Sequence, residues 1–103
     1  MAFIVYRKLS NPYSRFVRPN DGWIWDVTNE VMAAAPTWTN TDIATTYDSN
    51  IGGYPIVVPS DLPAGDYDWL LYDNSSPANT DVVLIGKRIA WSGNDLIGLP
   101  IDL

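Results

Sequence analysis

The run Leu62-Pro63-Ala64-Gly65-Asp66-Tyr67, leading directly into Asp68-Trp69-Leu70-Leu71-Tyr72, constrains this chain more than any other stretch. Pro63 stiffens the approach, and Gly65 gives the backbone a freedom that residues with a Cβ lack. Beyond Gly65 the residues alternate. Tyr67, Trp69 and Leu71 fall on one face of an extended strand, and Asp66, Asp68, Leu70 and Tyr72 on the other. An aromatic strand entered through a tight corner needs a second layer to bury its apolar face, so the segment predicts a β-sandwich.

The rest of the chain repeats the theme of short apolar segments between turn clusters. Ala2–Leu9 ends at Ser10-Asn11-Pro12, and Ser14–Arg18 closes at Pro19-Asn20-Asp21-Gly22. Trp23–Val27 sets Trp23, Trp25 and Val27 on one face. Tyr54–Val58 comes after Gly52-Gly53, and Asp66–Asp73 is the corner strand itself. Val82–Trp91 reads as a long strand whose apolar phase changes, which predicts a bulge at Gly86, with Lys87 and Arg88 blunting an edge. The one helix-forming stretch is Thr28–Ala35, stopped by Pro36, and it is two turns at most.

Tyr67 placed just after the corner matches the tyrosine corner of immunoglobulin-like sandwiches. The expected fold is therefore all-β: a single immunoglobulin-like sandwich of about seven short, mainly antiparallel strands. Residues 28–53 form one long crossover loop with room for a short helix. Residues 1–103 make one domain, with a basic segment at 1–21 and an apolar tail at 96–103. A chain of this length buries roughly two-thirds of its unfolded surface, so a core is expected without disulfide or metal staples. Trp25, Trp69 and Trp91 are the expected core indoles.

Charge is unevenly spread. Residues 1–18 hold Arg7, Lys8, Arg15 and Arg18 and no acid, whereas residues 19–103 hold Lys87 and Arg88 against all twelve acids. Such an acidic body disfavours nucleic acid, and no apolar stretch has the length of a membrane span. It suits self-association, with one subunit's basic segment meeting a neighbour's acidic face.

Chemistry-bearing patterns are sparse. There is no His and no Cys, which removes His-assisted nucleophiles and the commonest zinc ligands. Asp66 and Asp68 share a strand face but read as a solvated surface rather than a catalytic pair. Asp48-Ser49-Asn50 and Asn94-Asp95 read as turns, not calcium loops. No catalytic residue, cofactor or metal is expected. Interface candidates are Arg7, Lys8, Arg15 and Arg18 in the basic segment, Trp38 and Tyr47 in the long loop, and Leu99, Ile101 and Leu103 in the tail. The alternative is a carbohydrate- or host-surface-binding module, with Trp23 and Trp25 as an exposed stacking platform.

The ordered series Gly22-Trp23-Ile24-Trp25, Trp38, Leu62-Pro63-Ala64-Gly65-Asp66-Tyr67, Leu71-Tyr72, Pro77-Ala78, Asp81, Ile85-Gly86 and Ile89-Ala90-Trp91-Ser92-Gly93 resembles small virion proteins of tailed bacteriophages. The similarity spans residues 22–93 and carries no catalytic residues. It implies a β-sandwich from the head and tail gene cluster, assembled in the host cytoplasm into the virion. Its partners would be itself and other virion proteins, in a capsid-decoration or head/tail accessory role.

Overall fold

The computed structural model describes residues 3–76 and 80–98. Over these residues it is a small all-β domain of nine strands in two antiparallel sheets. Strands β1 (Phe3–Val5) and β6 (Gly53–Pro55) form the smaller sheet. The larger sheet has the order β4 (Val31–Ala33), β3 (Ile24–Asp26), β2 (Pro12–Val17), β7 (Gly65–Asp73), β8 (Ile85–Trp91) and β9 (Leu96–Gly98). Strand β5 (Ile43–Ala44) also pairs with β2, beyond the point where Val17 meets Ile24 of β3.

Register decides which side chains enter the core. Phe16 lies opposite Trp69, Ser14 opposite Leu71, and Tyr67 opposite Ile89. Phe16, Trp69, Leu71, Tyr67 and Ile89 face inward and meet Trp25, Met32 and Trp91, together with Ile4 and Tyr54 of the smaller sheet. Trp25, Trp69 and Trp91 are all buried, as the sequence predicts. An indole that removes roughly 200 Å² from water contributes about 5 kcal/mol at about 25 cal/mol per Å². The polar edges are satisfied: the Trp91 Nε1–H donates to the Leu62 carbonyl (2.8 Å), and Tyr54 Oη accepts the Leu9 N–H (2.7 Å). At the corner, the Tyr67 hydroxyl donates back to the Pro63 carbonyl at 2.7 Å. This is the bond that the Pro-Ala-Gly-Asp-Tyr spacing anticipates.

The structure departs from the sequence expectations in residues 28–53. The stretch expected to form a helix is instead a hairpin into β4. Asp26 accepts the Asn29 backbone N–H and its side-chain N–H, both at 2.9 Å, and Glu30 adopts φ 56° to close the turn. Two turns of isolated helix gain little, whereas pairing Met32 with Trp25 buries a side chain in the core. The helical element lies further on, as a single 3₁₀ turn at Trp38–Asn40. The long loop is thus broken by β4, this turn and β5, which raises the strand count from about seven to nine.

One smaller correction concerns a glycine. Gly86 is not a bulge: it pairs regularly with Leu70, and a Cβ there would sit 3.0 Å from Leu70 Cδ2. The register shift falls instead between Ala90 and Trp91, against β9. Gly53 has a stronger reason to be glycine, since a Cβ would lie 1.9 Å from the Ile4 carbonyl oxygen. Backbone approach, not turn freedom, fixes it.

Candidate functional site

The densest polar cluster lies on the outer face of the larger sheet, around Arg15. Tyr13 pairs with Tyr72 and Arg15 with Leu70 across β2 and β7, on the face turned away from the core. The two phenol rings stack with centroids 4.9 Å apart and planes at 4°. The Arg15 guanidinium lies 4.7 Å and 4.8 Å from these rings and 3.5 Å from the Trp38 ring. Its Nε donates to Thr41 Oγ1 at 2.6 Å, and its Nη2 forms an ion pair with Asp42. Thr41 Oγ1 in turn donates to the Trp38 carbonyl at 2.7 Å. The 3₁₀ turn and the residues after it are thereby clamped over the sheet.

Asp81 completes the cluster. It accepts the Tyr13 hydroxyl, and Asn74 Nδ2 donates to it at 2.8 Å. Burial and the bond to Asp81 push the Tyr13 phenol up to about 12. Burial also raises Tyr72. For Asp42, burial outweighs the pull of Arg15, with some repulsion from Asp81, and holds the carboxyl above its ordinary value. Arg15 Nη1 and Trp38 Nε1 are buried without an acceptor among the described residues. Each such orphan costs about 1–3 kcal/mol, which the stacked aromatic rings offset in part. Beside the cluster lies a concavity of about 310 Å³, lined by Asn11, Pro12, Tyr13, Asp42, Ala44, Asn74 and Ser75. Arg15 and Asp42 pair with each other, and Asp81 accepts from Tyr13 and Asn74. The arrangement acts as an internal clamp.

The interface candidates divide accordingly. Arg15 is fully buried and is therefore no surface contact. Arg18 chelates Asp21 through Nε and Nη2 (2.5–3.1 Å) and lies 5.2 Å from the Trp23 ring. Trp38 is half-buried on Arg15, and Tyr47 is half-buried, edge-on to Tyr54 at 5.5 Å. Arg7 and Lys8 are exposed, and no carboxylate pairs with either among the described residues. Leu99, Ile101 and Leu103 lie outside the described residues, although the start of the tail, Leu96–Gly98, forms β9.

Other sequence features find their places. Asp68 pairs with Arg88 at 2.5 Å across β7 and β8. Asp48 accepts the Asn50 N–H at 2.8 Å, and Ser92 Oγ accepts the Asn94 and Asp95 N–H groups, all turn contacts. Trp23 is 39 % exposed but Trp25 only 2 %, so the two do not form a joint stacking platform. Sequence reasoning missed Tyr13, Thr41, Asp42, Tyr72 and Asp81 as members of one cluster, because only strand pairing brings them together.

Of the nine large apolar side chains exposed among the described residues, four lie on strands: Phe3, Val5, Val31 and Ile97. Phe3 and Val5 flank the buried Ile4 on β1, and Val31 flanks the buried Met32 on β4. Comparison with protein-family models, with curated proteins and with solved structures finds no match.

Proposed function

We propose that this chain is a virion structural protein of a tailed bacteriophage, a small β building block that acts through protein–protein contacts and carries no catalytic step. The observation that supports this reading is the coincidence of open strand edges with exposed apolar side chains. Phe3 (39 %), Val5 (69 %) and Val31 (50 %) all stand on strands that pair on one side only among the described residues. Edges of this kind offer both main-chain hydrogen bonds and apolar surface to a partner. The internal clamp around Arg15 fits the same role, since it stiffens the sheet without presenting reactive groups.

The virion setting rests on the resemblance carried by residues 22–93, and the role is capsid decoration or a head/tail accessory. The Tyr67–Pro63 bond supports the immunoglobulin-like kinship. Mass spectrometry of gradient-purified particles from the source culture is expected to find this chain in many copies per particle. Particles that assemble normally and lack it would overturn the reading.

A further inference from the structure

Sheet edges in natural proteins are ordinarily blunted by charge, proline, bulges or brevity. Most edges of this domain obey that rule. Strand β5 has two residues, and β6 ends in Pro55, which has no N–H. Beyond the reach of β9, the exposed half of β8 carries Lys87 and Arg88, and the β8–β9 pairing contains a bulge. Two edges, three residues each, rely on brevity alone. Strand β1 (Phe3-Ile4-Val5) and strand β4 (Val31-Met32-Ala33) hold no charge, no proline and no bulge.

These two edges match each other. In each, one buried side chain sits between two that face outward: Ile4 between Phe3 and Val5, Met32 between Val31 and Ala33. Just beyond the C-terminal end of β1 stand Arg7 and Lys8, exposed and without an ion pair among the described residues. Just before the N-terminal end of β4 stands Glu30, also exposed. Antiparallel strands bring those two ends together.

Building on the assembly reading above, we infer that β1 of one copy adds to β4 of a second copy as an antiparallel strand, joining the small sheet of one molecule to the large sheet of the next. With Ile4 opposite the neighbour's Met32, Val5 faces Val31 and Phe3 faces Ala33, so inward and outward positions agree across the junction. Arg7 and Lys8 then run beside the neighbour's Glu30. Because the two edges differ, the contact is head-to-tail, and repetition closes a ring or extends a filament.

The test uses two charge variants and one apolar-edge variant, with changes only at exposed positions. One charge variant carries Arg7→Glu and Lys8→Glu, the other Glu30→Lys, and circular dichroism establishes that each keeps the native fold. Light scattering over a concentration series at low salt is expected to show the unmodified protein assembling. Each variant alone should associate about tenfold more weakly or worse. An equimolar mixture should recover assembly, because each variant's altered end then meets a complementary partner. Val31→Lys, which alters the apolar edge, should weaken association with no rescue from either charge variant.

Three results overturn the inference. One is a protein that stays monomeric up to about 1 mM. Another is assembly indifferent to the charge reversals, which leaves self-association in place but assigns it to other surfaces. The last is weakened variants that the mixture fails to restore. None of these bears on particle composition, by which the virion reading is judged separately.

Discussion

On its inner face the seven-stranded sheet carries Phe16, Trp25, Trp69, Leu71 and Ile89, a dry apolar layer closed by Ile4 and Tyr54. On its outer face the same strands carry Tyr13, Arg15 and Tyr72, packed under Trp38 and tied to Asp42 and Asp81. Both layers are buried, but they are stabilised differently. The inner layer gains from every methylene and ring removed from water. The outer layer sets a desolvated guanidinium against ring faces, one carboxylate and a hydroxyl, so its net contribution is a small difference between large terms. The lesson is that the inner face supplies stability, while the outer face fixes where one loop sits.

Removal of a core indole gives the largest expected effect. Trp69→Ala should cost about 3–5 kcal/mol, read as a lowered denaturant midpoint, and can leave the domain unfolded at room temperature. A loss under about 1 kcal/mol would mean that the inner layer is not the main source of stability.

The clamp is predicted to answer differently to single and paired changes. Arg15→Met strands Asp42 and should cost about 2–4 kcal/mol, tempered because Asp42 keeps 17 % of its side chain exposed. Adding Asp42→Leu to Arg15→Met should recover most of that loss, since an apolar pair replaces an ion pair at little net cost. The double-mutant cycle from urea unfolding measures this directly. Strict additivity of the two losses would show that the outer layer behaves like the inner one.

The smallest effect separates the layers by pH. The Tyr13 phenol titrates at about 12 in the fold, against about 10 in an unfolded chain. A raised acid lends stability below its unfolded value and loses it as pH rises through the folded one. Between pH about 10 and 12 the domain should therefore lose about 2–3 kcal/mol through Tyr13 alone. Tyr13→Phe should remove that share of the alkaline slope, leaving the part due to Tyr54, Tyr67 and Tyr72, whose phenols burial also raises. An unchanged slope would place the alkaline transition in those other tyrosines.

Much of the scaffold is legible from local pattern. The corner strand, its alternation and the Tyr67 bond to Pro63 come from residues adjacent in sequence. So does the burial of Trp25, Trp69 and Trp91, because strand parity assigns each a face. Local propensity favours a helix in residues 28–35. The pairing of Met32 with Trp25, together with the Asp26–Asn29 turn, overrides it. The clamp is not legible at all. Arg15 stands among cations in the first eighteen residues and reads as a surface charge, yet it is fully buried.

The amino-acid order by itself determined the β class, the corner and the identity of the core indoles, since alternation and turn chemistry act over a few residues. Tertiary structure alone decided which sequence-distant polar groups meet around Arg15. Tyr72 and Asp42 reach Arg15 only after β2 pairs with β7 and the 38–42 segment folds back over the sheet, and Asp81 joins through Tyr13. It also decided which strands were left at an edge, because a strand's freedom depends on its neighbours and not on its own residues.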